Sequence, residues 1–176
     1  MASIYTCCHG KNIRPGRPWI DENGIQHPSN WQLWSNAEKV AAGITEIVQQ
    51  SPPDSRLYTW SYNANGTVNS TAKSLADTGS GDSLILGVKS QLKLDVKSQQ
   101  GSLLAQTDWA IVRKADNSTA IPSNIQTWRN AIRTKATAMD SAIDGAANTA
   151  AVAALFLSWD SDGNKTGILY DWPELD

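Results

Sequence analysis

The sequence predicts an α+β fold. A small β-rich N-terminal part with hairpins comes first, then an antiparallel helical hairpin, a short third helix and a C-terminal β-turn with strand on either side. Three observations predict it. The first 78 residues are short β-branched and aromatic stretches punctuated by turn dipeptides, Asn23-Gly24 and Asn65-Gly66. "ADTGSGD", residues 76–82, is small, polar and Gly-rich, the composition of a linker. Beyond it the apolar period changes from alternation to helical steps of three and four. The expected division is residues 1–78 and 79–176.

"RPWIDENGIQHP" places Asn23-Gly24 between two short stretches, a hairpin signal. "WSNAEKVAAG" reads as a brief helix, with Ser35 as N-cap, Glu38 completing a capping box and Gly43 as terminator. "ITEIVQQ" is β-branched and strand-like, and Pro52-Pro53-Asp54 breaks the chain after it. "RLYTWSYNANGTVNSTAKSL" carries the strongest hairpin signal. Tyr58, Trp60 and Tyr62 alternate onto one face, opposite Thr59 and Ser61, and need a cover from this chain or from a partner.

In the second part Ile85, Val88, Leu92, Val96, Gln99 and Leu103 form a helical stripe broken only by Gln99, predicting a helix over 82–106. Thr107-Asp108 ends this helix or caps the next segment. "WAIVRKADNSTAIP" reads as a strand or extended loop. Ser123, with Gln126 three residues on, is the expected capping box of a second helix. Its stripe is Ile125, Trp128, Ile132, Ala136, Met139 and Ile143, and it stops near Gly145. An Ala-rich third helix is expected over 148–158, with Val152 and Phe156 on one face. The first two helices can pack antiparallel, bringing Trp109 and Trp128 to the same end of the hairpin.

Composition excludes several classes. The chain has 176 residues, a net charge of −2 and 18% charged residues, and no region is basic enough to make nucleic acid the main partner. No apolar run approaches the roughly 20 residues of a membrane span. The N-terminus lacks a basic segment followed by an apolar one, so the expectation is a soluble protein made in a cytoplasm. Eight Trp against one Phe is unusual, and Trp suits interfaces as well as cores. Cys7 and Cys8 are the only cysteines and are adjacent, the mark of a small apolar pair in a reducing compartment. With His9 they form part of a ligand set, but His27 is the only further histidine, so no metal is expected there.

Two motifs come near to known chemistry. "DSDGNKTGILYD" offers Asp160, Asp162, Asn164, Thr166 and Asp171 at calcium-loop spacing. Lys165 stands where that loop needs Gly, and Asp171 where it needs the longer Glu, so a hairpin turn is expected and no calcium. Ser70-Thr71-Ala72-Lys73 and Lys165-Thr166-Gly167 match S-x-x-K and K-T-G, but Ser70 lies in an expected strand rather than at a helix start, and no S-D-N stands between them. No other constellation points to catalysis. The expectation is a protein without catalytic residues or cofactor.

"SLLAQTDWAIVRKADNSTAIPSNIQTWRNAIRTKA", residues 102–136, resembles the L-L-x-x-T-D-W … Y-R-x-A-(L/I)-R pattern of bacteriophage tail-assembly (tail-fibre) chaperone proteins of marine phage and cyanophage type. Leu103-Leu104, Thr107-Asp108-Trp109 and Trp128-Arg129-Asn130-Ala131-Ile132-Arg133 carry it, with Trp128 where those proteins commonly have Tyr. The likeness covers about 85–145. It implies a non-enzymatic phage protein that binds tail or tail-fibre proteins in virion assembly, in the host cytoplasm. The first 78 residues and "ILYDWPELD" lie outside the pattern, leaving open a permanent minor virion component (tail, fibre-adaptor or capsid-attached) and, more remotely, a glycan-binding module. Self-association is also left open. The residues expected to contact another protein chain are Tyr58, Trp60, Tyr62, Trp109, Trp128 and Trp172.

Overall fold

The computed structural model describes residues 3–7 and 10–175. Cys8 and His9, half of the possible ligand set, lie outside the described residues. The fold is α+β, with small sheets first and helices after. The chain divides into two compact units, Met1–Thr71 and Ala72–Asp176, so the Gly-rich segment 76–82 belongs to the second.

In the first unit β1 (Ser3–Cys7) is the central strand of a three-stranded antiparallel sheet, between β2 (Lys11–Ile13) and β5 (Thr45–Val48). β3 (Trp19–Ile20) and β4 (Gln26–His27) form the first expected hairpin, with Trp19 opposite His27 and Gly24 at φ 78° in the turn. Helix α1 (Asn36–Ala41) begins at Ser35 with the full capping box: the Ser35 hydroxyl accepts from the Glu38 N–H, and Glu38 accepts from the Ser35 N–H at 2.7 Å. β6 (Tyr58–Tyr62) and β7 (Val68–Ala72) form the second hairpin. Gly66 sits at φ 81° in its turn, and a Cβ there would strike the Val48 carbonyl. The core is small: Cys7, Ile13, Trp19, Trp31 and Ile44 cluster, and the Trp31 indole donates to the Arg17 carbonyl at 2.9 Å.

In the second unit α2 (Val88–Ala105) and α4 (Ser123–Gly145) pack against each other. They are antiparallel. Lys89 and Lys93, near the start of α2, bond Asp144 near the end of α4. Arg129, near the start of α4, reaches the Leu104 carbonyl at the end of α2. All six members of the expected α4 stripe are buried.

Four expectations are corrected. The first helix starts at Val88, not at 82, and Ile85 is exposed in an extended bridge to Thr78. The reason is at Gly87. Its Cα lies so close to the Ala76 backbone that a Cβ would overlap it, its N–H donates to Asp77, and the Val88 and Lys89 N–H groups donate to Ser74 and Leu75 carbonyls. Segment 74–77 therefore occupies the place of another helical turn. Second, "WAIVRKADN" is not extended: it is helix α3 (Asp108–Asn117), ended by Ser118 at φ 61°. The β-branched pair Ile111-Val112 misleads, because the fully buried Ala110 and the Asp108 side chain are what dock the segment. Third, Ser123 is the first residue inside α4 rather than its cap. Pro122 precedes it, and the Gln126 side chain bonds Asn130 instead of closing a capping box. Fourth, the third helix, α5 (Thr149–Ala153), stops before 158, so Phe156 lies beyond it, although Val152 and Phe156 are both buried.

The tail forms β8 (Ser158–Trp159) and β9 (Lys165–Thr166) around the Asp160 turn. Residues 171–173 then strap across the helices. The Trp172 indole donates to Gln99 on α2 at 2.7 Å, and the Trp128 indole on α4 donates to the Pro173 carbonyl at 2.9 Å. Gln99, the one polar break in the α2 stripe, is thus the acceptor for a tail tryptophan.

Candidate protein-contact surfaces

The candidate tryptophans separate once burial is known. Trp128 is 5% exposed and its indole N–H is satisfied within the chain, so it is a core residue and not a contact residue. Trp172 is partly buried, and its N–H is likewise engaged. Trp109 differs. It is 51% exposed, with the Arg113 guanidinium 5.0 Å from its ring centre. Trp109 and Trp128 do not bury together.

What fixes Trp109 is a polar joint that sequence reasoning did not single out. Arg129 is 5% exposed, and one of its terminal nitrogens donates to the Leu104 carbonyl at 2.7 Å and to the Thr107 hydroxyl at 2.8 Å. The same nitrogen lies 2.9 Å from the Asp108 carboxylate. Burying a guanidinium is costly unless its charge is met. The Asp108 carboxylate meets it here, although the Arg129 Nε has no hydrogen-bond partner among the described residues, and the contacts set one geometry at the junction of α2, α3 and α4. Leu104, Thr107, Asp108 and Arg129 all fall within residues 102–136. No periodicity marks a buried Arg beside a buried Trp.

Helix α3 then displays apolar side chains to solvent. Val112 is 65% exposed and lies three residues from Trp109, on the same helix face. Ile111 on the adjoining face is 39% exposed, and neither it nor Val112 was foreseen as a contact residue.

In the first unit Trp60 and Tyr62 are 38% and 37% exposed, and Tyr58 is half-buried. The Trp60 and Tyr62 rings meet edge to face at 5.3 Å, and the Tyr62 hydroxyl donates to the Gln50 carbonyl. Beside Tyr62 lies an open groove of about 350 Å³, walled by Ile4, Thr6, Ile47 and Gln49. Trp60 and Tyr62 are thus an ordered, exposed pair, with Tyr58 half-buried on the same strand.

No family model, characterised protein or solved structure matches the chain.

The segment 160–171 is built as a turn. Asp160 accepts from the N–H groups of Asp162 and Asn164 at 3.0 and 2.8 Å, and these bonds, led by Asn164, hold its carboxyl below the usual range. Asp171, the last position of the calcium-like spacing, pairs with Lys165 at 2.6 Å and Lys135 at 2.9 Å. Lys165 first and Lys135 second hold its pKa below the usual carboxylate range. Two ammonium groups therefore occupy a carboxylate that a cation would need. Among the described residues no three metal-ligating side chains gather. Ser70 lies in β7, in the first unit, while Lys165 and Gly167 lie in the second.

Proposed function

We propose that this is a non-enzymatic bacteriophage protein that binds a tail or tail-fibre protein during virion assembly. One observation carries the reading. The residues of the phage-like pattern do two jobs in one place: Thr107, Asp108 and Arg129 brace α3, and Trp109 is displayed on it beside Val112. A rigidly held, half-exposed Trp under an Arg is the kind of anchor that dominates protein interfaces. Trp60 and Tyr62 form a second aromatic surface in the first unit, which lies outside the pattern and suits recognition of a particular client.

The test is co-purification of the tagged protein from infected cells, with tail and tail-fibre proteins identified by mass spectrometry. Trp109→Ala is expected to abolish their recovery and leave the fold intact. Recovery unchanged in Trp109→Ala and in Trp60→Ala/Tyr62→Ala would sink the proposal. Mass spectrometry of purified virions separates a transient partner, absent from particles, from a permanent component present in fixed ratio.

A further inference from the structure

Strand β2 lies at the edge of its sheet, so one side of its backbone carries no ladder partner among the described residues. An open groove of about 380 Å³ runs along it. Residues 11–14 and 17–20 line it. The groove is cationic. Lys11, Arg14 and Arg17 all line it, and no acidic residue does. Among the described residues none of these three side chains makes an ion pair, a hydrogen bond or a ring contact. Elsewhere in the same unit Arg56 pairs with Asp54. Trp19, 8% exposed, also lines the groove, and its indole N–H has no acceptor among the described residues.

We infer that this groove receives an extended, carboxylate-bearing segment of a partner protein, which adds to β2 as a further strand. Main-chain bonds along an open edge supply affinity, and side-chain charge supplies selectivity. Two unpaired guanidinium groups and an ammonium select carboxylates. A second copy of this chain does not fit, because pairing two β2 edges would set Lys11, Arg14 and Arg17 against their own like charges. A nucleic-acid backbone fits less well. Residues 1–71 carry five Lys and Arg against five Asp and Glu, so this unit has no excess of basic charge to hold a phosphodiester chain. This site lies outside the phage-like stretch and does not depend on Trp109.

The experiment uses the full-length protein labelled with ¹⁵N and three probes: end-blocked hexaglutamate, an alternating Glu-Pro peptide of the same charge, and a short oligothymidylate. Hexaglutamate is expected to shift the amides of Lys11, Asn12 and Ile13, with binding that weakens as salt rises. The peptide matched in charge but poor in N–H donors is expected to bind several-fold more weakly. Arg14→Ala/Arg17→Ala changes two exposed side chains without partners, so it should remain folded while hexaglutamate binding falls by about tenfold. Failure of hexaglutamate to bind, shifts confined to other residues, or binding unchanged in the double variant would overturn the inference. Equal binding of the two peptides would remove the added strand, and tighter binding of oligothymidylate at the same amides would replace the acidic protein segment with nucleic acid.

Discussion

The buried Arg129 is the side chain on which most depends at the smallest scale. Replacing it with Ala leaves the Thr107 hydroxyl and the Asp108 carboxylate without their donor and opens space beneath α3. The expected loss is about 2–4 kcal/mol, read from urea unfolding. All three contacts of Arg129 come from one terminal nitrogen, so Arg129→Lys should recover part of the loss only where the shorter ammonium side chain reaches the same oxygens. Trp109→Ala at the other end of the same joint should change stability by less than about 1 kcal/mol, because half of the ring is already in water. Asp171 gives a pH signature. Lys165 and Lys135 hold its folded value below the ordinary 3.8, so its contribution is present above that value and is lost as pH falls through the depressed one. Tail tryptophan fluorescence should therefore change on acidification below about pH 4. Asp171→Asn should lack that component of the change.

Among the elements, turns and caps were the most legible. Asn23-Gly24 and Asn65-Gly66 mark hairpins because Gly tolerates positive φ, and Ser35 with Glu38 caps α1 as a local motif must. Helix α2 offers a clean contrast between glycines. Gly101 has open space around its Cα, so Gly101→Ala should stabilise the protein by about 0.5–1 kcal/mol, seen as a higher urea midpoint. Gly87→Ala should lower the midpoint, because the Ala76 backbone occupies the position of the new methyl. Boundaries set by a distant segment could not be read. The start of α2 belongs to residues 74–77, and the helical state of α3 belongs to Arg129 on α4. Propensity alone read Ile111-Val112 as extended, and docking of Ala110 overrode it.

At the level of the whole molecule, the two units differ in how much core they own. Residues 72–176 bury Val88, Leu92 and Val96 of α2, the whole α4 stripe, and Val152, Phe156 and Leu169. Residues 1–71 hold one small cluster around Trp31, with Leu57 also buried. A fragment of residues 72–176 is expected to fold alone, with a helical circular-dichroism spectrum and a cooperative melt. The fragment 1–71 should be far less stable, as short chains with little core are. A non-cooperative melt of the larger fragment would show that it needs the first unit.

Fold class, the two hairpins, α1, the α4 stripe and the tail turn were all present in local pattern. Each is decided by residues within a few positions of one another, so a one-dimensional reading finds it. The choice among tryptophans was not. Trp109 and Trp128 have similar sequence surroundings, yet one faces water and the other donates to Pro173, 45 residues away. Burial is a property of what packs against a side chain, and for Trp128 the tail supplies the partner. The same holds for Arg129, whose charge is met across 25 residues or fewer by groups that no spacing rule connects. Period and turn chemistry set which elements form; long-range packing set which faces remain open to another protein.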